Sequence, residues 1–114
     1  AHSTSGGKVL LAELPDDEVV ALFPDGLPRV TDRTITDFEA LKAELRSVRD
    51  LGYAVNHEES SPGLDAVAVC VRDHLGRALA ALAVSLPHQR MTQGYLHMML
   101  PPLRATAEAI SRDL

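Results

Sequence analysis

Apolar positions along this chain change their rhythm once, at Gly52, and the change divides helices from strands. Before it the spacing is helical. Leu10, Leu11 and Leu14 share a face between Ser3 and Leu14, with Ser3 or Thr4 placed to cap the start. Pro15 suits the first position of a second helix, with Asp16, Asp17 and Glu18 in its first turn and Val19, Leu22 and Phe23 inward; Pro24 and Gly26 stop it. Thr36 to Glu39 has capping-box spacing, and Phe38, Leu41, Leu45 and Val48 then repeat at helical intervals up to Gly52. Beyond it, Tyr53 to Asn56 follows too closely for a loop and reads as a strand. Ala66 to Val71 and Ala78 to Leu86 are almost wholly apolar strands joined by Arg72 to Arg77, a hairpin connection with Gly76 near its end. Strands this apolar are expected to be covered on both faces. Thr92 opens a last helix whose inward face is expected to carry Tyr95, Met98, Leu103, Ala107, Ile110 and Leu114, kinked or broken at Pro101 and Pro102. The order α-α-α-β-β-β-α predicts one α/β sandwich, with a thin sheet for two helical layers and room for a small ligand where helices meet it.

Composition narrows the chemistry. An apolar share of 46% supplies a core, and an aromatic share of 4% without Trp makes that core aliphatic. A net charge of −5, with 11 scattered Lys and Arg, argues against a phosphate-gripping surface on this chain. Cys70 stands alone, so no disulfide framework is expected and a reducing compartment is. No apolar stretch approaches the ~20 residues of a membrane helix, and the N-terminus lacks the pattern of a signal peptide, so a cytoplasmic chain without membrane partners is expected. The start Ala1-His2-Ser3, without Met, is consistent with a fragment of something longer.

The motifs that resemble catalytic or metal signatures fail on inspection. Thr4-Ser5-Gly6-Gly7-Lys8-Val9 has a phosphate loop's outline, but His2 stands where Gly is required and Val9 where Ser or Thr would hold magnesium. Glycines opening a helix still let a ligand approach outward amides, so an anion such as a carboxylate is a candidate there; close helix–sheet packing explains the same glycines better. His57-Glu58-Glu59-Ser60-Ser61 begins like a zinc-protease helix, but Ser61 replaces the second His. The five histidines lie singly, without metal-ligand spacing, so no metal and no cofactor are expected. Glu58-Glu59 fits a solvated turn or ion-pair partner better than a catalytic dyad, and no catalytic residue is assigned. Ser85, between apolar neighbours, is the candidate polar contact inside an aliphatic pocket. Cys70 reads as a small hydrophobe, and Tyr95, Met98 and Met99 as core or interface.

Taken in order, His2-Ser3-Thr4-Ser5-Gly6-Gly7-Lys8-Val9-Leu10-Leu11-Ala12, Leu14-Pro15, Gly26-Leu27-Pro28, Thr34-Ile35-Thr36, Val48-Arg49-Asp50-Leu51-Gly52-Tyr53 and Pro62-Gly63-Leu64 resemble the effector-binding domain of IclR-type transcriptional regulators. Val71-Arg72-Asp73 and Ala80 to Ser85 continue the resemblance over essentially all of residues 1–114. It implies a GAF-like antiparallel sheet flanked by helices, of which this chain matches the later part, without the family's N-terminal winged helix-turn-helix. It also implies a pocket formed by Ser5, Gly6 and Gly7, by Asn56, and by Leu64, Ala66, Ala83 and Ser85. Asn56 stands where the family often has an acidic residue, and Ala83 where sensors of small oxoacids often have a second serine; a less polar organic acid, aromatic acids included, is the implied effector. The implied function is sensing, not catalysis: a small organic acid shifts a homodimer or homotetramer whose DNA contacts lie in the winged module, with exposed faces of the apolar strands and the last helix as candidate subunit contacts. The alternative is an oligomerisation module whose pocket is filled by side chains.

Overall fold

The computed structural model describes residues 1–113, and Leu114, expected on the last helix's inward face, lies outside them. The observed order is α1 (Ser5–Leu11), α2 (Asp16–Ala21), α3 (Phe38–Leu51), β1 (Ala54–His57), β2 (Leu64–Arg72), β3 (Ala78–Pro87), a 3₁₀ turn (His88–Arg90) and α4 (Gln93–Arg112). The α-α-α-β-β-β-α reading therefore describes the chain, and the differences lie in caps and faces. Thr4 caps α1 by accepting the Gly7 amide at 3.0 Å. Asp37, not Thr36, caps α3, its carboxylate accepting the Glu39 and Ala40 amides. A charged acceptor one residue closer to the first turn outcompetes the hydroxyl of the expected capping box. Gly52 closes α3 at φ 80°, a left-handed conformation that lets the chain turn directly into β1.

The sheet is antiparallel in the order β1-β2-β3, with Val67 opposite both Val55 and Val84. β2 alternates in size: Ala66, Ala68 and Cys70 face one way, Val67, Val69 and Val71 the other. On the small-residue face, α1, α2 and α3 bury Val9, Leu11, Val19, Leu41, Leu45 and Val48 against Ala54 and Ala68. On the valine face, α4 packs Leu96, Leu100, Leu103 and Ala107 against Val67, Val69 and Val71. Burying each such aliphatic side chain contributes about 1.5–3 kcal/mol.

Two-sided cover holds for β2 and fails for β3, where Leu79 is 53% and Val84 39% exposed. The reason is position: β3 is an edge strand, and α4 packs against central β2. The expected inward face of α4 is also corrected. Leu96, Leu100, Leu103 and Ala107 point inward, while Tyr95, Met98 and Ile110 are exposed. Leu10 and Leu22, expected inside, are likewise exposed. α4 runs unbroken through Pro101 and Pro102. Both prolines and the residues four before them, His97 and Met98, are exposed, so water can satisfy the carbonyls that lose an amide partner.

The hairpin connection is built on Asp73, whose Oδ1 accepts the Leu75 and Arg77 amides at 2.9 Å each while Oδ2 accepts Arg77 Nε at 2.8 Å. The Arg77 backbone amide is the largest of the effects holding the Asp73 carboxyl below its ordinary range. Burial pushes the Cys70 thiol up, which suits its reading as a small hydrophobe of the α1-facing side.

Candidate functional site

Small side chains on the sheet let the start of α1 come close, and next to that contact a cavity of about 240 Å³ remains. One wall is Thr4, Ser5 and Gly6; the floor is Asn56, Ala66 and Leu64; the far side is Ala83 and Ser85 of β3; Ser60 and Ser61 fold over from the turn after β1. Seven of the eight residues expected to meet a ligand thus line one space: Ser5, Gly6, Asn56, Leu64, Ala66, Ala83 and Ser85. The hydroxyl-bearing residues Thr4, Ser5, Ser60, Ser61 and Ser85 share the lining with aliphatic Leu64, Ala66 and Ala83 and with buried Asn56 and Asp65. Ala83 and Ser85 are exposed, which leaves the cavity open on the β3 side.

Gly7 is the eighth, and the fold uses it differently. A Cβ built there would lie 1.9 Å from the carbonyl oxygen of Ala1, so Gly7 is required by the chain crossing behind the helix. That crossing is fixed by buried His2, whose Nε2 lies 2.8 Å from the Pro28 carbonyl oxygen and whose ring meets Phe23 edge-on at 5.3 Å. The Gly7 amide is spent on the Thr4 cap. The expected anion site on the diglycine amides therefore shrinks to Ser5 and Gly6, whose amides precede the first bond to a helix carbonyl, Lys8 N to Thr4 O. With only seven residues, α1 adds little dipole. A Cβ at Gly6 meets only Ala81 Cβ at 3.5 Å, an ordinary contact. The two glycines should respond oppositely to alanine. Gly6→Ala is expected to gain up to about 1 kcal/mol from helix propensity, and Gly7→Ala to lose about 1–3 kcal/mol from overpacking. Urea unfolding of both variants checks this, and equal responses would mean that the crossing yields freely.

Asn56 is also reassigned. It is buried, its Nδ2 donates to the Ser3 carbonyl at 2.8 Å and its Oδ1 accepts the Glu59 amide at 2.8 Å. It shapes the floor and ties three segments together, with its carbonyl and one amide hydrogen committed to protein.

Behind the cavity lies an ion pair that reading the motif linearly did not show. Lys8 is buried, with Nζ 2.7 Å from Glu59 Oε2, 3.3 Å from Glu44 Oε1 and 3.1 Å from the Val55 carbonyl. The lysine of the apparent phosphate loop thus points into the fold, and Glu59 is its structural partner. Thr34 and Thr31 hold the same turn, donating to the Glu59 and Glu58 carbonyls at 2.5 Å each. Ser60 and Ser61 were likewise missed; four and five residues beyond Asn56, only the turn's folding back brings them to the cavity. The histidines are not all isolated either: His57 and His88 meet at Asp65, on the opposite face of the sheet.

These features define an α/β domain in which a small helix and a sheet of small residues border an open space of about 240 Å³. The family model described as bacterial transcriptional regulator IclR C-terminal matches residues 1–112, and the chain belongs to that family. It is 43% identical over 110 residues to the probable transcriptional regulator SauR of Cupriavidus necator, covering 94% of this chain and 43% of the relative. To the HTH-type transcriptional repressor AllR of Klebsiella pneumoniae it is 36% identical over 114 residues, covering 99% of this chain and 42% of the relative. Among solved structures, the inducer-binding domain of the PobR transcription factor from Acinetobacter, a double mutant in complex with 3-hydroxybenzoic acid, superposes with a TM-score of 0.88 at 36% identity, over 96% of this chain and 64% of that one. The chain spans less than half the length of these two curated relatives. Among the described residues, no helix is long and apolar enough to cross a membrane.

Proposed function

We propose that this chain is the effector-sensing part of a cytoplasmic one-component transcriptional regulator, and that the cavity between α1 and the sheet receives a small organic acid. The observation that carries the reading is the convergence of Ser5, Gly6, Asn56, Leu64, Ala66, Ala83 and Ser85 on one open space of about 240 Å³ in a chain of this family. A space of that volume suits a small acid, aromatic acids included, held by the hydroxyl-bearing residues at its polar end and by Leu64, Ala66 and Ala83 at its apolar end. PobR's complex with 3-hydroxybenzoic acid supports an aromatic carboxylate as the first probe. The curated relatives SauR and AllR are named as transcriptional regulators, which supports sensing as the reading. Effector binding reaches DNA by favouring one arrangement of subunits over another in a homodimer or homotetramer, because a ligand with equal affinity for both arrangements shifts nothing. The DNA contacts belong to a winged helix-turn-helix elsewhere in the whole protein.

A second reading, an oligomerisation module that senses nothing, draws on the exposed apolar side chains of β3 and α4, Leu79, Val84, Tyr95, Met98 and Ile110. Thermal-shift titration with a panel of carboxylic acids headed by 3-hydroxybenzoate separates the two. A binding acid at ~100 times its dissociation constant should add about 2.7 kcal/mol. Ala83→Leu, at an exposed position that leaves the core untouched, should remove that gain by filling the cavity. Silence across the panel, or full binding by Ala83→Leu, would leave the oligomerisation module as the better account.

A further inference from the structure

We propose that His57, Asp65 and His88 form a binding site for a divalent transition-metal ion, with zinc the ion whose chemistry they fit best. The three offer one ligand atom each, all within 4.8 Å of one another. Strand register builds the first half of the site: His57 of β1 lies directly opposite Asp65 of β2, and His57 Nδ1 is 2.7 Å from Asp65 Oδ2. The end of β3 brings the rest. His88 follows Pro87, its amide donates to the Gly63 carbonyl at 2.9 Å, and its Nδ1 lies 2.9 Å from both Asp65 oxygens.

Charge is the reason to look for a cation. Asp65 is completely buried, and among the described residues no lysine or arginine pairs with it. A buried carboxylate without a permanently charged partner is costly, and the groups that face it here are two imidazole nitrogens, which are also metal ligands. A divalent ion supplies the charge and uses both nitrogens as ligands. Two imidazoles and one carboxylate select zinc or a neighbouring first-row ion over magnesium or calcium, which take oxygen ligands. Zinc bonds of about 2.0–2.2 Å in a tetrahedron need ligand atoms roughly 3.3–3.5 Å apart. The present separations of 2.7 and 2.9 Å require the rings to move outward by roughly half an ångström for that geometry. Both can do so, since the His57 and His88 side chains are 56% and 45% exposed. Three protein ligands leave a position for water or a small solute. A supporting carboxylate is also present: with His88 Nδ1 on the metal, its Nε2 faces Glu58 Oε2 at 3.9 Å, a short rotation from the outer-shell hydrogen bond that orients a ligating histidine. Glu58 is held in that place at φ 58°, with its Oε1 accepting the Gly63 amide at 3.0 Å.

The side chains of the site project from the valine face of the sheet, because His57 and Asp65 adjoin Asn56 and Ala66 and strand side chains alternate, while Asp65 also borders the effector cavity. A metal there would join β1, β2 and the end of β3, and would brace the turn that carries Ser60 and Ser61 over the cavity.

The test is calorimetric titration of the chelator-treated 114-residue chain with zinc chloride alone, repeated with cobalt(II) to read the visible absorption of the bound ion. One equivalent is expected to bind. His57→Ala and His88→Ala should each weaken binding at least about 10-fold, and the double variant should abolish both the heat and the cobalt spectrum. Both side chains are substantially exposed, and a thermal melt of each variant checks that it folds. His74→Ala and His97→Ala, at exposed positions outside the cluster, should bind zinc as the parent does. No binding by the parent at millimolar zinc, or binding that survives the double His57/His88 variant, would overturn the site without touching the effector reading.

Discussion

Lys8→Met is expected to destabilise the domain by about 3–5 kcal/mol, the usual cost of removing one member of a buried ion pair. The substitution keeps the length and apolar body of the side chain, so packing changes little. It leaves Glu59, 2.7 Å away and itself buried, without its cation, and leaves the Val55 carbonyl without that donor. Glu44 contributes less, being 35% exposed at 3.3 Å. The cost should reach function too, because Glu59 accepts the His57 amide and donates its own to Asn56 in the cavity floor. Adding Glu59→Gln to Lys8→Met should recover part of the loss, since the orphaned charge goes with it. Urea denaturation of the single and double variants measures both quantities. A single-variant loss under about 1 kcal/mol would mean that water reaches this pair and screens it as on a surface.

Leu45→Ala should cost about 2–5 kcal/mol, the range for leucine truncation at a site that cannot collapse. Leu45 is wholly buried at the centre of α3, in the cluster formed by Val9 and Leu11 of α1, Val19 of α2 and Ala54 and Ala68 of the sheet. The small residues beneath it have no side chain to move into the space, and the sheet backbone is held by pairing on both sides of β2. Truncation on the other layer at Leu103, which packs in the α4 cluster, should cost a similar amount independently. The sum of the two tests whether the layers behave as separate sites. Chemical denaturation midpoints settle it, and a Leu45→Ala protein within about 1 kcal/mol of the parent would mean that α3 can settle onto the sheet.

The elements were legible along the chain because their signals are local. Gly52 ends α3, Gly76 turns the hairpin, Thr92 caps α4, and each acts within a few residues of itself. Faces were less legible. On α4, Tyr95 and Met98 satisfy a helical period as well as Leu96 and Leu100 do, and only the position of β2 chooses between the two registers. On β2 the signal was present in another form: Ala66, Ala68 and Cys70 alternate with Val67, Val69 and Val71. A scale of polarity sees a featureless run there, while a scale of volume sees which face admits a close helix.

The cavity residues were reached through family resemblance; read without it, the chain offered Ser85 as a pocket contact and the diglycine as an anion candidate that close packing explained better. Their roles then separated by contact. Gly6 borders the cavity while Gly7, one residue on, makes room for Ala1, and Asn56 spends its polar atoms on Ser3 and Glu59. What this sequence determines by itself is the succession of helices and strands, the aliphatic interior and the membership of a family, because capping, turn chemistry and periodicity operate over neighbouring residues. Which lysine is buried, which histidines share a carboxylate and which strand stays open to solvent were decided only in three dimensions. Those outcomes depend on pairings such as Lys8 with Glu59 and Asp65 with His88, whose energies arise from burial and charge between segments that spacing along the chain does not relate.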